Sequence, residues 1–212
     1  IEQNRSLLDE IQLKESELSA ERSDLDSLQT ELASRIERVD ELERVIANKE
    51  ALLSKLKSSL SKALLSFDGK GLTVEQRNGK VYVSMENKLL FKSGSWAVGS
   101  EGKQAIKQLA KVLEQNKDIS VLIEGHTDDD PYIGDSKLSG NWDLSVKRAT
   151  AIVNLLLQNK GVMPENITAA GKGEYSPLVP NSSADNRSKN RRIEVILAPK
   201  LDEIGKLLQD LD

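Results

Sequence analysis

With 212 residues, 30% of them charged, only 3% aromatic and none cysteine, the chain is too polar to close one core of its full length, and part of it is expected to be elongated. The lack of cysteine excludes disulfides, thiolate metal centres and cysteine nucleophiles. The net charge of −4 lies wholly in the first third, where residues 1–65 carry 14 acidic against 10 basic side chains and the remainder carries 20 of each, so no positive field is available to hold nucleic acid.

The chain opens on Ile1-Glu2-Gln3-Asn4, in the middle of a helical pattern and without an initiator methionine, so an export or anchoring segment is expected upstream. No stretch is apolar for long enough to span a bilayer. Residues 11, 18, 25, 32, 39, 46, 53 and 60 are all Ile, Leu or Val, a period of seven held over eight heptads. The companion stripe is half polar: Leu7, Leu28, Leu42 and Leu56 alternate with Lys14, Glu21, Arg35 and Lys49. A lone helix would leave the first stripe in water, which predicts a coiled coil over residues 1–65, most simply a homodimer. The alternative is a solvated spacer that pairs only loosely, because the second stripe is interrupted by charge.

Ser66-Phe67-Asp68-Gly69-Lys70-Gly71 breaks the heptads and is the expected domain boundary. Two alternating segments, residues 72–76 and 80–85, flank Arg77-Asn78-Gly79, a hairpin signal. A short strand is expected at 88–91, then a helix N-capped by Ser100, with Ile106, Leu109, Ala110 and Leu113 on one face. Residues 119–125 alternate as a strand, 143–159 form a second helix, and 167–170 and 192–197 supply two more strands across a Pro-, Asn- and Ser-rich loop. The order predicts an α/β (α+β) two-layer sandwich over residues 70–198, a mixed sheet with two main helices on one face. A short helix is expected within 199–212.

Two features of this domain carry chemistry. Arg148 falls on the apolar face of the second helix, one turn from Leu144 and Ile152, so its charge needs a partner, either an internal aspartate or a ligand carboxylate. The turn Glu124-Gly125-His126-Thr127-Asp128-Asp129-Asp130 places three aspartates at a strand end, where they could shape a turn, bind a cation or hold an ammonium group. Consecutive aspartates cannot all reach one ion and no second cluster completes a shell, so no metal is expected. No serine elbow accompanies the lone histidine, and nothing fixes two carboxylates across a substrate, so no enzyme is expected. Gly171-Lys172-Gly173 lacks the spacing of a phosphate loop and is expected as a turn after a strand; no cofactor is called for.

From about residue 89 to 197 the chain resembles the C-terminal peptidoglycan-binding domain shared by OmpA-like outer-membrane proteins and MotB-like motor stators. The resemblance rests on Phe91-Lys92-Ser93-Gly94-Ser95, Ile123-Glu124-Gly125-His126-Thr127-Asp128, Asn141-Trp142-Asp143-Leu144-Ser145-Val146-Lys147-Arg148-Ala149, Ala170-Gly171-Lys172-Gly173-Glu174 and Asn190-Arg191-Arg192-Ile193-Glu194-Val195, in that order. It implies binding to diaminopimelate of the wall's stem peptide, with Asp128 on the ammonium, Arg148 on the carboxylate, and Asn141 and Arg191 in further contacts. Thr127 and Leu144, inside the same motifs, complete the expected ligand-binding set. Lys92 stands where many OmpA-like members have aspartate.

The expected function is therefore non-covalent anchoring to the cell wall in the periplasm of a diderm bacterium, with the membrane reached only through an upstream anchor. The rivals are the periplasmic part of an ion-driven stator and a coiled-coil scaffold that has lost ligand binding.

Overall fold

A computed structural model describes residues 1–92, 94–133 and 138–200; the helix expected within 199–212 lies outside the described residues apart from its first two positions. Helix α1 runs over Glu2–Ala63, followed by the hairpin β1 (Leu72–Arg77) and β2 (Lys80–Glu86), a one-turn helix α2 (Asn87–Leu90), and α3 (Ser100–Glu114). Next come β3 (Ile119–His126), α4 (Asn141–Leu156), β4 (Ile167–Gly173), α5 (Ala184–Asn190) and β5 (Arg192–Pro199).

The described residues fall into two compact units, Ile1–Ala47 and a second that begins at Asn48. In the first, the heptad stripe is in water: Ile11, Leu18, Leu25, Leu32, Val39 and Ile46 are each more than half exposed. Charged pairs one turn apart, Lys14 with Glu17 and Arg35 with Glu31, lie on its surface and add little stability.

In the second unit the five strands form one sheet in the order β1-β2-β5-β3-β4. Only β3 and β4 run parallel; the other neighbours are antiparallel, so the sheet is mixed. Asn78 and Gly79 both take positive φ, 50° and 67°, at the hairpin turn, as its two-residue geometry requires. One apolar cluster joins Val81, Val83, Val121, Ile123, Ile193 and Val195 of the sheet to Ile106 and Leu109 of α3 and Ile152 and Leu156 of α4. Leu53, Leu56 and Leu60 of α1 belong to the same cluster. The helix therefore continues as part of the folded unit well before the glycine-rich break at residues 66–71, where the sequence had suggested the boundary.

Four local expectations are corrected. Residues 88–91 form the α2 turn rather than a strand, with Phe91 in a single bridge to Val98. Gly99, not Ser100, occupies the N-cap of α3, without a side-chain bond. Gly171, Lys172 and Gly173 belong to β4, paired beside β3. The polar loop before β5 contains α5, capped by Ser183, whose hydroxyl accepts from Asn186 N at 3.1 Å.

Candidate functional site

The candidate site forms where β3 ends against the start of α4. That approach is set by glycine: a Cβ on Gly125 would lie 2.0 Å from the Ser145 carbonyl oxygen, and one on Gly171 would lie 2.3 Å from Ser145 Oγ. Only bare backbone lets α4 sit this close on β3 and β4. Thr127 and Asp128, leaving β3, then face Asn141, Leu144 and Arg148, which recur at helical spacing along α4.

A cavity of about 590 Å³ opens there, lined by all six sequence-expected residues: Thr127, Asp128, Asn141, Leu144, Arg148 and Arg191. Thr127 and Asn141 brace its wall. The Thr127 amide donates to Gly173 O at 2.8 Å and its hydroxyl to Asp128 O at 2.9 Å. The Asn141 amide donates to Glu174 at 2.7 Å, Asp130 O at 2.9 Å and Asp128 O at 3.3 Å, tying the aspartate loop to the end of β4. Leu144 supplies apolar lining and is buried.

Asp128 is buried and accepts a short charged hydrogen bond from Arg191 Nη1. Arg191 follows α5, and Asn190 fixes its position by accepting from Leu178 N at 2.8 Å and donating to Val179 O at 2.8 Å. The Arg191 side chain is 37% exposed, against 7% for Asp128, so the pair has a mobile-reach cation outside and a fixed carboxylate inside.

Arg148 is only 3% exposed, and its internal partner is not an aspartate. Its Nε donates to Ser95 O at 3.0 Å. With the Asn87 amide turned oxygen-first, Nη1 and Nη2 donate to it at 2.7 and 3.1 Å. The guanidinium also sits 5.4 Å from the Phe91 ring centre. Burial pushes its pKa down to about 10, Tyr132 and Asp128 oppose the fall and Arg191 adds to it, so it stays a cation at neutral pH. A guanidinium has five N–H donors, of which the bonds to Ser95 and Asn87 use three. Asn87, Ser95 and Tyr132 were not legible as site residues, because they reach Arg148 from elements more than fifteen residues away in sequence.

A second titratable cluster lies on the sheet face turned away from α4. Glu124, His126 and Glu194 bring a nitrogen and two carboxylate oxygens within 4.8 Å of one another. Glu194 is the donor that the sequence pattern did not supply. His126 Nε2 is 3.7 Å from Glu124 and 4.0 Å from Glu194. Lys172 stands 3.7 Å from Glu124, while Arg192 and Arg77 stand 2.9 and 3.6 Å from Glu194. Three cations face two carboxylates, and this excess of positive charge favours an ion-pair network over a cation site. Burial first, then the Arg192 charge, push the His126 pKa down to about 4 against the opposing pull of Glu194, so the ring is neutral.

The model of the OmpA family matches residues 90–191, which span the cavity. This stretch is an OmpA-family domain. Motility protein B of Bacillus subtilis (strain 168) is 36% identical over 118 residues, covering 56% of this chain and 45% of the relative. Motility protein B of Helicobacter pylori (strain ATCC 700392 / 26695) is 27% identical over 154 residues, covering 72% of this chain and 59% of the relative. The chain thus spans about half the length of these relatives. Among solved structures, the periplasmic domain of Helicobacter pylori MotB is similar at TM-score 0.61 and 27% identity, over 68% of this chain and 90% of that one. The cell wall anchor of the T6SS from Pseudomonas aeruginosa is similar at TM-score 0.61 and 30% identity, over 66% of this chain and 97% of that one. The match lies within the second unit and does not extend to the end of α1, the β1–β2 hairpin or β5.

Proposed function

We propose that the cavity binds the diaminopimelate of the peptidoglycan stem peptide and so anchors an envelope protein to the cell wall without making or breaking a bond. The observation that carries this reading is the buried Asp128 carboxylate beside two guanidinium groups, Arg191 and Arg148, in one open cavity. A free amino-acid end presents an ammonium and a carboxylate on one carbon. The ammonium takes the place of Arg191 at Asp128, and the released Arg191, together with Arg148, receives the carboxylate. Charge is conserved in the exchange, so no buried ion is left without a partner. With the direction in which the rest of the ligand leaves the cavity as a third point, the two charged contacts fix the handedness that fits.

The compartment that goes with this reading is the periplasm. No helix among the described residues is long and apolar enough to cross a membrane. A second reading, the periplasmic part of an ion-driven stator, is supported by the similarity to Motility protein B over 72% of the chain, and it uses the same clamp.

Calorimetric titration with a diaminopimelate-containing stem peptide tests the site. The wild type is expected to bind, while Asp128→Ala and Arg148→Ala each weaken binding at least about tenfold, the scale of a lost charged hydrogen bond. Circular dichroism checks that both variants fold. Equal binding by folded variants and wild type would remove the cavity as the site.

A further inference from the structure

Arg148 and Arg191 are both cations of the cavity wall, and they are held in opposite ways. Arg191 has a carboxylate partner in Asp128. Among the described residues no carboxylate oxygen lies within 4.0 Å of the Arg148 guanidinium, although Arg148 is the more deeply buried of the two. A buried cation ordinarily takes a counter-ion. Here Nε rests on the Ser95 carbonyl, and Nη1 and Nη2 converge on one neutral side-chain oxygen, that of Asn87.

Asn87 is fixed for this task by its own main chain. It follows Glu86, the last residue of β2, which is in register with Arg192 of β5. One step beyond that pair, the Asn87 N–H donates to Arg191 O at 2.9 Å. Its C=O accepts from Phe91 N at 2.7 Å and closes the α2 turn, which sets the Phe91 ring beneath the Arg148 guanidinium. Asn87 is itself buried. One residue therefore touches the backbone of Arg191, the backbone of Phe91 and the side chain of Arg148, and all three line the cavity. It lies ahead of residue 90, where the match to the OmpA-family model begins.

The choice of an amide decides what Arg148 can do. An aspartate of the same shape would accept both Nη–H bonds more strongly, but it would also cancel the charge of Arg148 and compete with any carboxylate entering the cavity. An amide oxygen orients the guanidinium and leaves its net charge in place. The burial that pushes the Arg148 pKa down to about 10 is the cost of that arrangement, and an anionic ligand group offsets it.

We propose that Asn87 is a positioning residue of the cavity, a neutral holder that aims the Arg148 guanidinium without neutralising it and so reserves its charge for a ligand carboxylate. The inference rests on the stem-peptide reading of the cavity and assigns the selectivity for a carboxylate to a residue outside the matched stretch.

The test compares Asn87→Asp and Asn87→Ala with the wild type in the full chain, by calorimetry with the diaminopimelate-containing stem peptide and by melting temperature. Asn87→Asp is expected to melt at or above the wild-type temperature and yet bind the stem peptide at least about tenfold more weakly. Asn87→Ala, which loses the holder, is expected to melt lower and to bind more weakly as well. A residue that only supports the fold would let affinity follow melting temperature, so wild-type affinity in Asn87→Asp would overturn the proposal. Nitrogen NMR of the Arg148 guanidinium in the ligand-free protein reads the same role without a ligand. Hindered rotation should keep the two Nη signals apart in the wild type, and Asn87→Ala should merge them. Asn87→Asp should keep them apart and raise the Arg148 pKa above about 10, because a carboxylate favours the charged form. If the wild type does not bind the stem peptide, the ligand assigned to the cavity is wrong, and these spectra decide the role of Asn87 alone. Merged Nη signals in the wild type, or an Arg148 pKa unmoved in Asn87→Asp, would overturn it.

Discussion

At the scale of single residues, three buried charges of this domain are held by named partners. Asp128 has Arg191, Arg148 has the Asn87 amide and the Ser95 carbonyl, and Glu194 has Arg192. His126 differs, since among the described residues neither ring nitrogen has a hydrogen-bond partner, and the ring is 2% exposed. Its pKa is pushed down to about 4 from 6.5, so between those values the unfolded chain binds the proton and the folded chain does not. The stability this neutral ring contributes is complete above pH 6.5 and lost as pH falls toward 4, by roughly 3 kcal/mol at most. Urea unfolding between pH 4 and 7.5 should show that decline, with a shallower one in His126→Gln. Parallel profiles for the two proteins would show that His126 does not carry the pH dependence.

At the scale of elements, the site depends on how closely α4 lies on β3. Gly125→Ala would place a methyl carbon 2.0 Å from the Ser145 carbonyl oxygen, and neither partner is a flexible side-chain end. The helix must lift, at a cost of at least about 2 kcal/mol, and Asp128 and Arg148 separate with it. The expected result is a lower melting temperature together with weaker stem-peptide binding; an unchanged melting temperature would show that α4 has slack here. This closeness was legible only in outline. The sequence located the strand, the helix and their facing residues from periodicity, because Val121, Ile123, Leu144, Ile152 and their neighbours repeat at strand and helix spacing. Contacts that join remote segments leave no such trace. Asn87 and Ser95 on Arg148, and Glu174 on Asn141, follow from the tertiary fold. Short elements are equally opaque, as α2 and α5 show: four and seven residues give periodicity too little length to register.

At the scale of the whole molecule, one heptad stripe serves two purposes. Its register runs unbroken from Ile11 to Leu60, so sequence alone assigned all of it to a coil. Leu53 and Leu60 are buried in the second unit, whereas Ile11, Leu18, Leu25, Leu32, Val39 and Ile46 are exposed in the first. Seven-residue spacing selects a helix face but not what covers it. For the exposed part the covering surface we propose is the same stripe of a second copy. Its interruption by Glu21 and Arg35 in the companion stripe weakens the pairing, so it should depend on concentration. Sedimentation equilibrium should give a monomer–dimer transition for the wild type and a monomer for Leu25→Glu/Leu32→Glu across the same range. Both substitutions lie on exposed positions of the first unit, so the variant should keep its affinity for a soluble stem peptide. On purified sacculi, where two linked cavities can bind one polymer, it should dissociate at least about tenfold faster than the wild type. A wild type that remains monomeric at high concentration would remove the second copy, and equal dissociation from sacculi would show that a single cavity holds the wall unaided.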